Sequence, residues 1–309
     1  MRLLQFCSTV LFAGLACPLH AANVTAMRVP EGGLQPQVAV DAKGGIHMIY
    51  FKGAPKGGDI QYVKSEDGAK WSAPMRVNSQ PGSCIAIGNI RGAHLAVGKN
   101  GRAHVSWMGS AQAEPKAPGN QAPMLYARLN DAVAAFEDQR NVMQASAGLD
   151  GGGSVAADPD GLVYVFWHGG VGDLKGEENR SVFLAKSSDE GKTFARERAV
   201  NPQPTGCCAC CGMRAFADSK GNVYVLYRAA MKLIDRDIFL LVSKDKGQSF
   251  QGVDLHPWKV NKCVMSTEHF SEANGTVLAA WETTQQVYFA RTDASAKPGQ
   301  PVAAPDAGN

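Results

Sequence analysis

The chain has 309 residues and a formal net charge of +3, with 31 lysines and arginines against 28 aspartates and glutamates. This charge is small and scattered along the sequence, so we expect no nucleic-acid partner. The length fits either two domains or one large all-β domain, and an internal repeat favours the second.

Residues 1–22 have the pattern of an export signal peptide. Arg2 supplies the positive start, residues 3–16 are mostly apolar, and Ala21 and Ala22 are small enough for a cleavage site. The apolar run is too short to span a membrane, and no later stretch reaches the roughly 20 apolar residues that a crossing needs. We therefore expect a periplasmic or secreted protein without a membrane span.

The cysteines divide between this signal and the mature chain. A lipid anchor at Cys17 is not expected, because Gly14 stands where a lipoprotein cleavage box has a larger aliphatic residue. Removal of the signal takes away Cys7 and Cys17. The six cysteines that remain are Cys84, Cys207, Cys208, Cys210, Cys211 and Cys263. An even number in an exported chain favours disulfides.

The segment from Val24 to Val29 precedes a pattern that recurs five times, in which an aromatic residue follows a turn glycine by six positions. The five pairs are Gly45 and Phe51, Gly101 and Trp107, Gly161 and Trp167, Gly221 and Tyr227, and Gly275 and Trp281. Each glycine lies in a polar turn between two short apolar runs. A third strand follows in every repeat, and a weaker fourth strand follows in every repeat except the last. Four antiparallel strands per repeat predict a blade of a β-propeller. We predict an all-β, five-bladed propeller over residues 23–296, with a six-bladed ring as the alternative.

The two ends of this ring are predicted from what the last repeat lacks. It has a third strand from Val287 to Arg291 but no recognisable fourth strand. Residues 297–309 are rich in proline, alanine and glycine, which predicts a disordered tail. The segment from Val24 to Val29 has no blade of its own, so we expect it to complete the fifth blade.

Two turns after third strands share one motif. Residues 187–194 read SSDEGKTF and residues 243–250 read SKDKGQSF. A shortened form occurs at residues 65–71, SEDGAKW. These turns resemble the Asp box, Ser-x-Asp-x-Gly-x-x-Trp/Phe, of the sialidase-like propellers built from BNR repeats. The resemblance implies structural turns remote from the active face, and for active sialidases a tyrosine nucleophile, an activating glutamate and arginines that hold a carboxylate.

The opposite face, where loops enter the first strands, is the predicted ligand face. The residues just past the five aromatics fall there, and they are Lys52, Met108, His168, Arg228 and Glu282. We expect the aromatics themselves to pack between blades. We predict that His168, Arg228 and Glu282 line a funnel for a carbohydrate or another small acidic ligand. Arg91 and Arg214, near the starts of first strands, either bind a carboxylate or tie loops together.

A glycoside hydrolase acting on sialic acid or a related acidic sugar is the enzymatic alternative. Its candidate catalytic groups are Glu282, Tyr227 and Arg228, with Arg28 or Arg91 as further holders of the substrate carboxylate. Fold resemblance alone does not establish this activity.

All six remaining cysteines lie in loops that enter first strands. Three disulfides that pin these loops, with no cofactor, are one explanation. The alternative is a soft-metal site for copper or zinc. Its candidate ligands are Cys207, Cys208, Cys210, Cys211, Met213 and Cys263. In either case we expect a monomer.

Overall fold

The computed structural model describes residues 25–88, 91–172, 175–208, 210–232 and 234–305. The predicted signal at residues 1–22, with Cys7 and Cys17, lies outside these ranges. No helix in the described part of the chain is long and apolar enough to cross a membrane. Helical structure there is limited to single 3₁₀ turns, at Pro30–Gly32, Lys99–Gly101, Pro118–Asn120 and Glu177–Asn179.

The β structure consists of five four-stranded antiparallel sheets, each made of consecutive strands. Blade 1 contains β1 (Leu34–Val40), β2 (Ile46–Ala54), β3 (Gly57–Ser65) and β4 (Met75–Arg76). Blade 2 contains β5 (His94–Val97), β6 (Ala103–Met108), β7 (Met124–Arg128) and β8 (Arg140–Asn141). Blade 3 contains β9 (Gly153–Ala157), β10 (Val163–Gly169), β11 (Ser181–Ser187) and β12 (Arg198–Ala199). Blade 4 contains β13 (Met213–Ala217), β14 (Val223–Arg228), β15 (Ile238–Ser243) and β16 (Gln251–His256). Blade 5 contains β17 (Glu268–Ala273), β18 (Thr276–Thr283), β19 (Gln286–Thr292) and β20 (Val302–Ala303).

The first strands of the blades contact one another around a central channel. Strand β9 packs against both β5 and β13, and β13 also packs against β17. Successive blades then bury their faces against each other, and each of the four main hydrophobic clusters draws its residues from two neighbouring blades. The predicted five-bladed propeller is therefore confirmed.

The aromatics of the repeat lie in these interblade cores. Trp107 and Trp167 are fully buried, and Phe51, Tyr227 and Trp281 are at most 4% exposed. Their role in packing is as predicted.

The closure of the fifth blade differs from the prediction. Its fourth strand is β20, in which Val302 pairs with Phe289 and Ala303 with Tyr288. Residues 25–29 form no strand, and Val29 instead packs against a buried cluster of blade 1. The prediction of a tail outside the fold over residues 297–309 is thus wrong for Val302 and Ala303. Three other blades also end in two-residue strands, which are too short to show a sequence pattern.

Truncation after Lys297 is expected to destabilise the propeller. It removes β20 and leaves the edge of β19 unpaired. The lost contacts include the hydrogen bond of 2.8 Å from the Ala304 amide to the Val287 carbonyl. With about 1 kcal/mol per hydrogen bond, we expect a loss of about 2–3 kcal/mol in the free energy of unfolding, measured by urea denaturation. Truncation after Pro305 is the control, since it keeps β20. Equal stability of the two truncated proteins would show that β20 contributes nothing.

The motif turns form by local hydrogen bonds. In the turn at residues 187–194 the Gly191 amide donates to Ser187 Oγ at 2.9 Å, and the Thr193 amide donates to Asp189 Oδ1 at 2.9 Å. Burial pushes the pKa of Asp189 upward, but the hydrogen bonds from Thr193 and Ser187 outweigh it and lower the pKa to about 2. Phe194 then packs edge-on against Tyr126 of the preceding blade. Phe250 of the turn at residues 243–250 packs edge-on against Phe166 of blade 3, so both full copies of the motif connect neighbouring blades.

Candidate functional site

Tyr227 lies inside blade 4. It is 1% exposed, and its hydroxyl is 2.7 Å from Thr205 Oγ1. Burial raises its pKa above the ordinary value. The hydroxyl is thus occupied within the protein and is not presented to a substrate.

Arg228 is also 1% exposed, and its guanidinium connects two blades. It donates to Ser266 Oγ at 2.8 Å and to the Glu282 carbonyl at 2.6 Å, and it also bonds the Arg236 carbonyl. The contact with Glu282 is to its backbone carbonyl, so the two side chains do not form an ion pair. Arg228 joins the end of β14 to blade 5.

The other sequence-predicted residues are dispersed. His168 is buried, its Nε2 accepts a hydrogen bond from the Asp150 amide at 3.1 Å, and desolvation lowers its pKa to about 3, so it is neutral near pH 7. Arg91 pairs with Asp150 at 3.2 Å. Arg28 is exposed before blade 1, and the partly exposed carboxylate of Glu282 accepts from the Gln285 amide at 2.6 Å. Of the predicted ligand residues, only Arg214 lines the cavity at the entry end of the channel.

This entry cavity has a volume of about 40 Å³ and lies where the first strands of four blades begin. Its walls are Gln35, Gln37, Gly92, Ala93, His94, Gly212, Met213, Arg214, Thr267 and Glu268. The propeller topology brings these residues together, because the starts of all first strands point to the same end of the channel.

Glu268 is the central group of the entry cavity. Its side chain is buried, and neither carboxylate oxygen has a hydrogen-bond partner within the described structure. Desolvation raises its pKa well above the ordinary value of 4.5, and the nearby Cys211 adds to the rise. A buried carboxyl without a partner is costly. A ligand that hydrogen-bonds to such a group relieves this cost.

Arg214 and His94 complete the polar wall. Arg214 donates to the Glu268 carbonyl at 3.3 Å and to Gln37 Oε1 at 2.8 Å, and burial lowers its pKa to about 10. His94 Nδ1 lies 2.9 Å from Ser154 Oγ, and burial lowers its pKa well below the ordinary value. The Gln35 Oε1 atom is buried and unpartnered like the Glu268 oxygens. The cavity thus presents open acceptors beside a guanidinium donor.

Glu268 and His94 are not among the ligand residues that the sequence predicted. The available signal was position. Both are the first residues of channel-lining strands, whereas the first strands of the other three blades begin with the apolar or small residues Leu34, Gly153 and Met213.

A larger cavity of about 1240 Å³ occupies the opposite end of the channel. We call it the lower cavity. Its carboxylates are already bonded within the protein: Asp218 accepts from the Asn222 side chain at 2.8 Å, and Glu272 accepts from the Ser219 amide at 2.8 Å. Among the described residues, no unpartnered buried side-chain polar atom lines the lower cavity.

Three thiols converge beside the entry cavity. Cys208 Sγ lies 3.4 Å from Cys211 Sγ and 3.5 Å from Cys210 Sγ, and all three sulfurs lie within 4.8 Å of one another. The Cys208 amide donates to the Arg228 carbonyl at 2.8 Å, and the Gly212 amide donates to the Ser266 carbonyl at 2.9 Å. Hydrogen bonds from the Cys210 and Cys211 thiols lower the pKa of Cys208. We call Cys208, Cys210 and Cys211 the thiol cluster.

The prediction of three disulfides is not met, since all six cysteines are free thiols in this structure. The cluster distances exceed the S–S bond of about 2.05 Å. Cys84 is fully buried in the core of blades 1 and 2, where its thiol donates to the Ile85 carbonyl at 3.4 Å. Cys207 is buried in the core of blades 3 and 4. These two thiols pack as small apolar side chains.

No protein-family model matches the chain, and no curated protein matches it. Among solved structures, it is similar to a Dyadobacter fermentans protein of unknown function, with a TM-score of 0.57, 16% identity, and coverage of 90% of this chain and 84% of that one. A Penicillium chrysogenum α-L-arabinanase complexed with arabinobiose has a TM-score of 0.54 and 12% identity, covering 90% and 82%. A Trypanosoma rangeli sialidase in complex with the inhibitor DANA has a TM-score of 0.54 and 11% identity, covering 86% of this chain and 48% of that one. Identities this low show a shared propeller fold.

Proposed function

We propose that this protein is an exported, sialidase-like propeller that recognises a carbohydrate, and that the entry cavity receives part of the sugar. The observation that carries the proposal is the buried carboxyl of Glu268, whose two oxygens are unpartnered at the centre of a polar cavity. The lower cavity is the less suitable place, because its carboxylates already have partners.

A sugar hydroxyl group matches this lining. Each hydroxyl donates one hydrogen bond and accepts others, so it satisfies Glu268 or Gln35 Oε1 while it accepts from Arg214. The volume of about 40 Å³ fits one substituent of a sugar ring, with the remainder of the ligand above the entry loops. Two propellers of similar fold carry carbohydrate activities in their names, an arabinanase and a sialidase.

Recognition is better supported than hydrolysis. Glycoside hydrolases usually flank the scissile bond with two carboxyl groups, or use a tyrosine nucleophile in the sialidase case. Among the described residues, Glu268 is the one carboxylate that lines the entry cavity. The candidate nucleophile Tyr227 is buried and bonded to Thr205.

Calorimetric titration of a sugar panel tests the proposal. The panel contains arabinose, arabinobiose, galactose, glucuronate and N-acetylneuraminate. The wild-type protein is expected to bind at least one of them, and Glu268→Gln is expected to weaken that binding about tenfold, as for the loss of one hydrogen bond to a buried group. The matched control is Glu272→Gln, at the other end of the same strand. Absence of binding by the wild type, or loss confined to the control, would overturn the assignment.

A further inference from the structure

We infer that the thiol cluster, together with Cys263, is a binding site for one thiophilic d¹⁰ metal ion, Cu(I) or Zn(II). This site is separate from the proposed carbohydrate site. Of the six metal ligands that the sequence suggested, the site keeps four thiols and excludes Cys207 and Met213.

The spacing of the sulfurs suits metal ligation. Four thiolates around zinc, at a Zn–S distance of about 2.3 Å, lie about 3.8 Å from one another. The observed separations of 3.4 and 3.5 Å from Cys208 to its two neighbours are within a few tenths of an ångström of this value. A disulfide would require an approach of more than 1 Å, whereas ligation requires only a slight expansion.

Cys263 supplies the fourth thiol from a different loop. Its thiol lies within hydrogen-bonding reach of the Cys210 thiol. Cys208, Cys210 and Cys211 come from the loop that enters blade 4, whereas Cys263 comes from the loop that enters blade 5. Cys263 is exposed and Cys210 is half-buried, so an ion reaches the site from the entry face.

The surroundings favour a soft ion. Ala230 and Val264 pack against the cluster, and a sulfur-only ligand set selects copper(I) or zinc over hard cations. Each ligand thiol loses its proton when the ion binds.

Cys207 and Met213 are excluded by the direction of their side chains. Both are buried in the hydrophobic cluster between blades 3 and 4, which includes Tyr227 and Val225. Cys208 belongs to the separate cluster with Ala230. The adjacent residues Cys207 and Cys208 therefore point into different environments. A substitution of Cys207 is thus a matched control for substitutions of the metal ligands.

The test uses the full mature chain, fully reduced and free of oxygen. Cu(I) affinity is measured by competition with bicinchoninate, and Zn(II) affinity by competition with a chromophoric chelator. We expect one equivalent of one of these ions per chain. Cys210→Ser and Cys263→Ser are each expected to weaken binding at least about tenfold, because the loss even of a group that only supports a ligand costs about 10- to 100-fold in metal affinity. Cys207→Ala and Cys84→Ala are expected to bind as the wild type does.

Circular dichroism establishes that each variant is folded, and Cys263→Ser is the safest variant because the side chain is exposed. Failure of the reduced wild-type protein to bind either ion would overturn the inference. An unchanged affinity in Cys263→Ser and Cys210→Ser, or an equal loss in Cys207→Ala, would overturn it as well.

Discussion

Replacement of Glu268 by glutamine is expected to make the propeller more stable at pH 8, although it weakens ligand binding. The folded-state pKa of Glu268 is raised well above the ordinary 4.5, first by desolvation. Between these two values the unfolded chain has lost the proton that the folded protein keeps, so the free energy of unfolding falls as pH rises through this window. Each pH unit of that window costs about 1.4 kcal/mol. Glutamine carries no such charge and avoids this loss.

We expect the free energy of unfolding of Glu268→Gln, relative to that of the wild type, to be higher at pH 8 than at pH 5. Urea denaturation at both pH values measures it. Buried histidines such as His94 and His104 also titrate, but they do so in both proteins and cancel in the difference. A difference that does not change between pH 5 and pH 8 would show that Glu268 has an ordinary pKa.

Replacement of Arg228 by alanine is expected to destabilise the protein strongly, by about 3–5 kcal/mol in the free energy of unfolding. The arginine is 1% exposed and donates to side-chain and backbone oxygens of blade 5, including Ser266 Oγ and Thr283 Oγ1. Its guanidinium also lies 5.1 Å from the ring centre of Trp258. Alanine removes these bonds, leaves buried acceptors without donors, and opens a cavity between blades 4 and 5.

Thermal and urea unfolding of Arg228→Ala measure this effect. The control is Arg28→Ala, an exposed arginine in the segment before blade 1, for which a change within about 0.5 kcal/mol is expected. If Arg228→Ala kept wild-type stability and lost only sugar binding, Arg228 would be a ligand residue, as the sequence suggested, and its interblade role would be refuted.

The fold was predictable because its signals repeat. A turn glycine and a buried aromatic recur in every blade, and the Ser-Asp-Gly turns mark the ends of third strands in two of them. The strand that completes blade 5 was not predicted. A two-residue strand such as Val302–Ala303 forms because the edge of β19 is available for pairing. Two residues are too few to show the alternation of apolar and polar side chains that identifies a strand.

The site was harder to predict because burial depends on neighbouring blades. Arg228 follows a repeat aromatic, which suggested a rim position. Along β14, however, Arg228 alternates with Tyr227 and shares a face with Leu226 and Tyr224. Those two residues pack against blade 5, so Arg228 is buried with them. Alternation within the strand, read together with the ring, would have placed it correctly.

The cysteines show a different limit of sequence reasoning. An even count in an exported chain favours disulfides as a class, but pairing requires two sulfurs that reach each other. Cys84 and Cys207 are held in two different blade cores, and no spacing rule in the sequence reveals that. The convergence of Cys263 on Cys210 likewise depends on two entry loops that meet only in the folded ring.

Because β20 comes from the same end of the chain as the rest of blade 5, every blade consists of four strands that follow one another in sequence. Pairing within a blade therefore needs only short loops to close, which costs little chain entropy and favours rapid folding. Each blade therefore contains all of its strands within one continuous segment of the chain. No strand is exchanged between the two ends of the described chain, so blade 5 is completed by its own C-terminal residues.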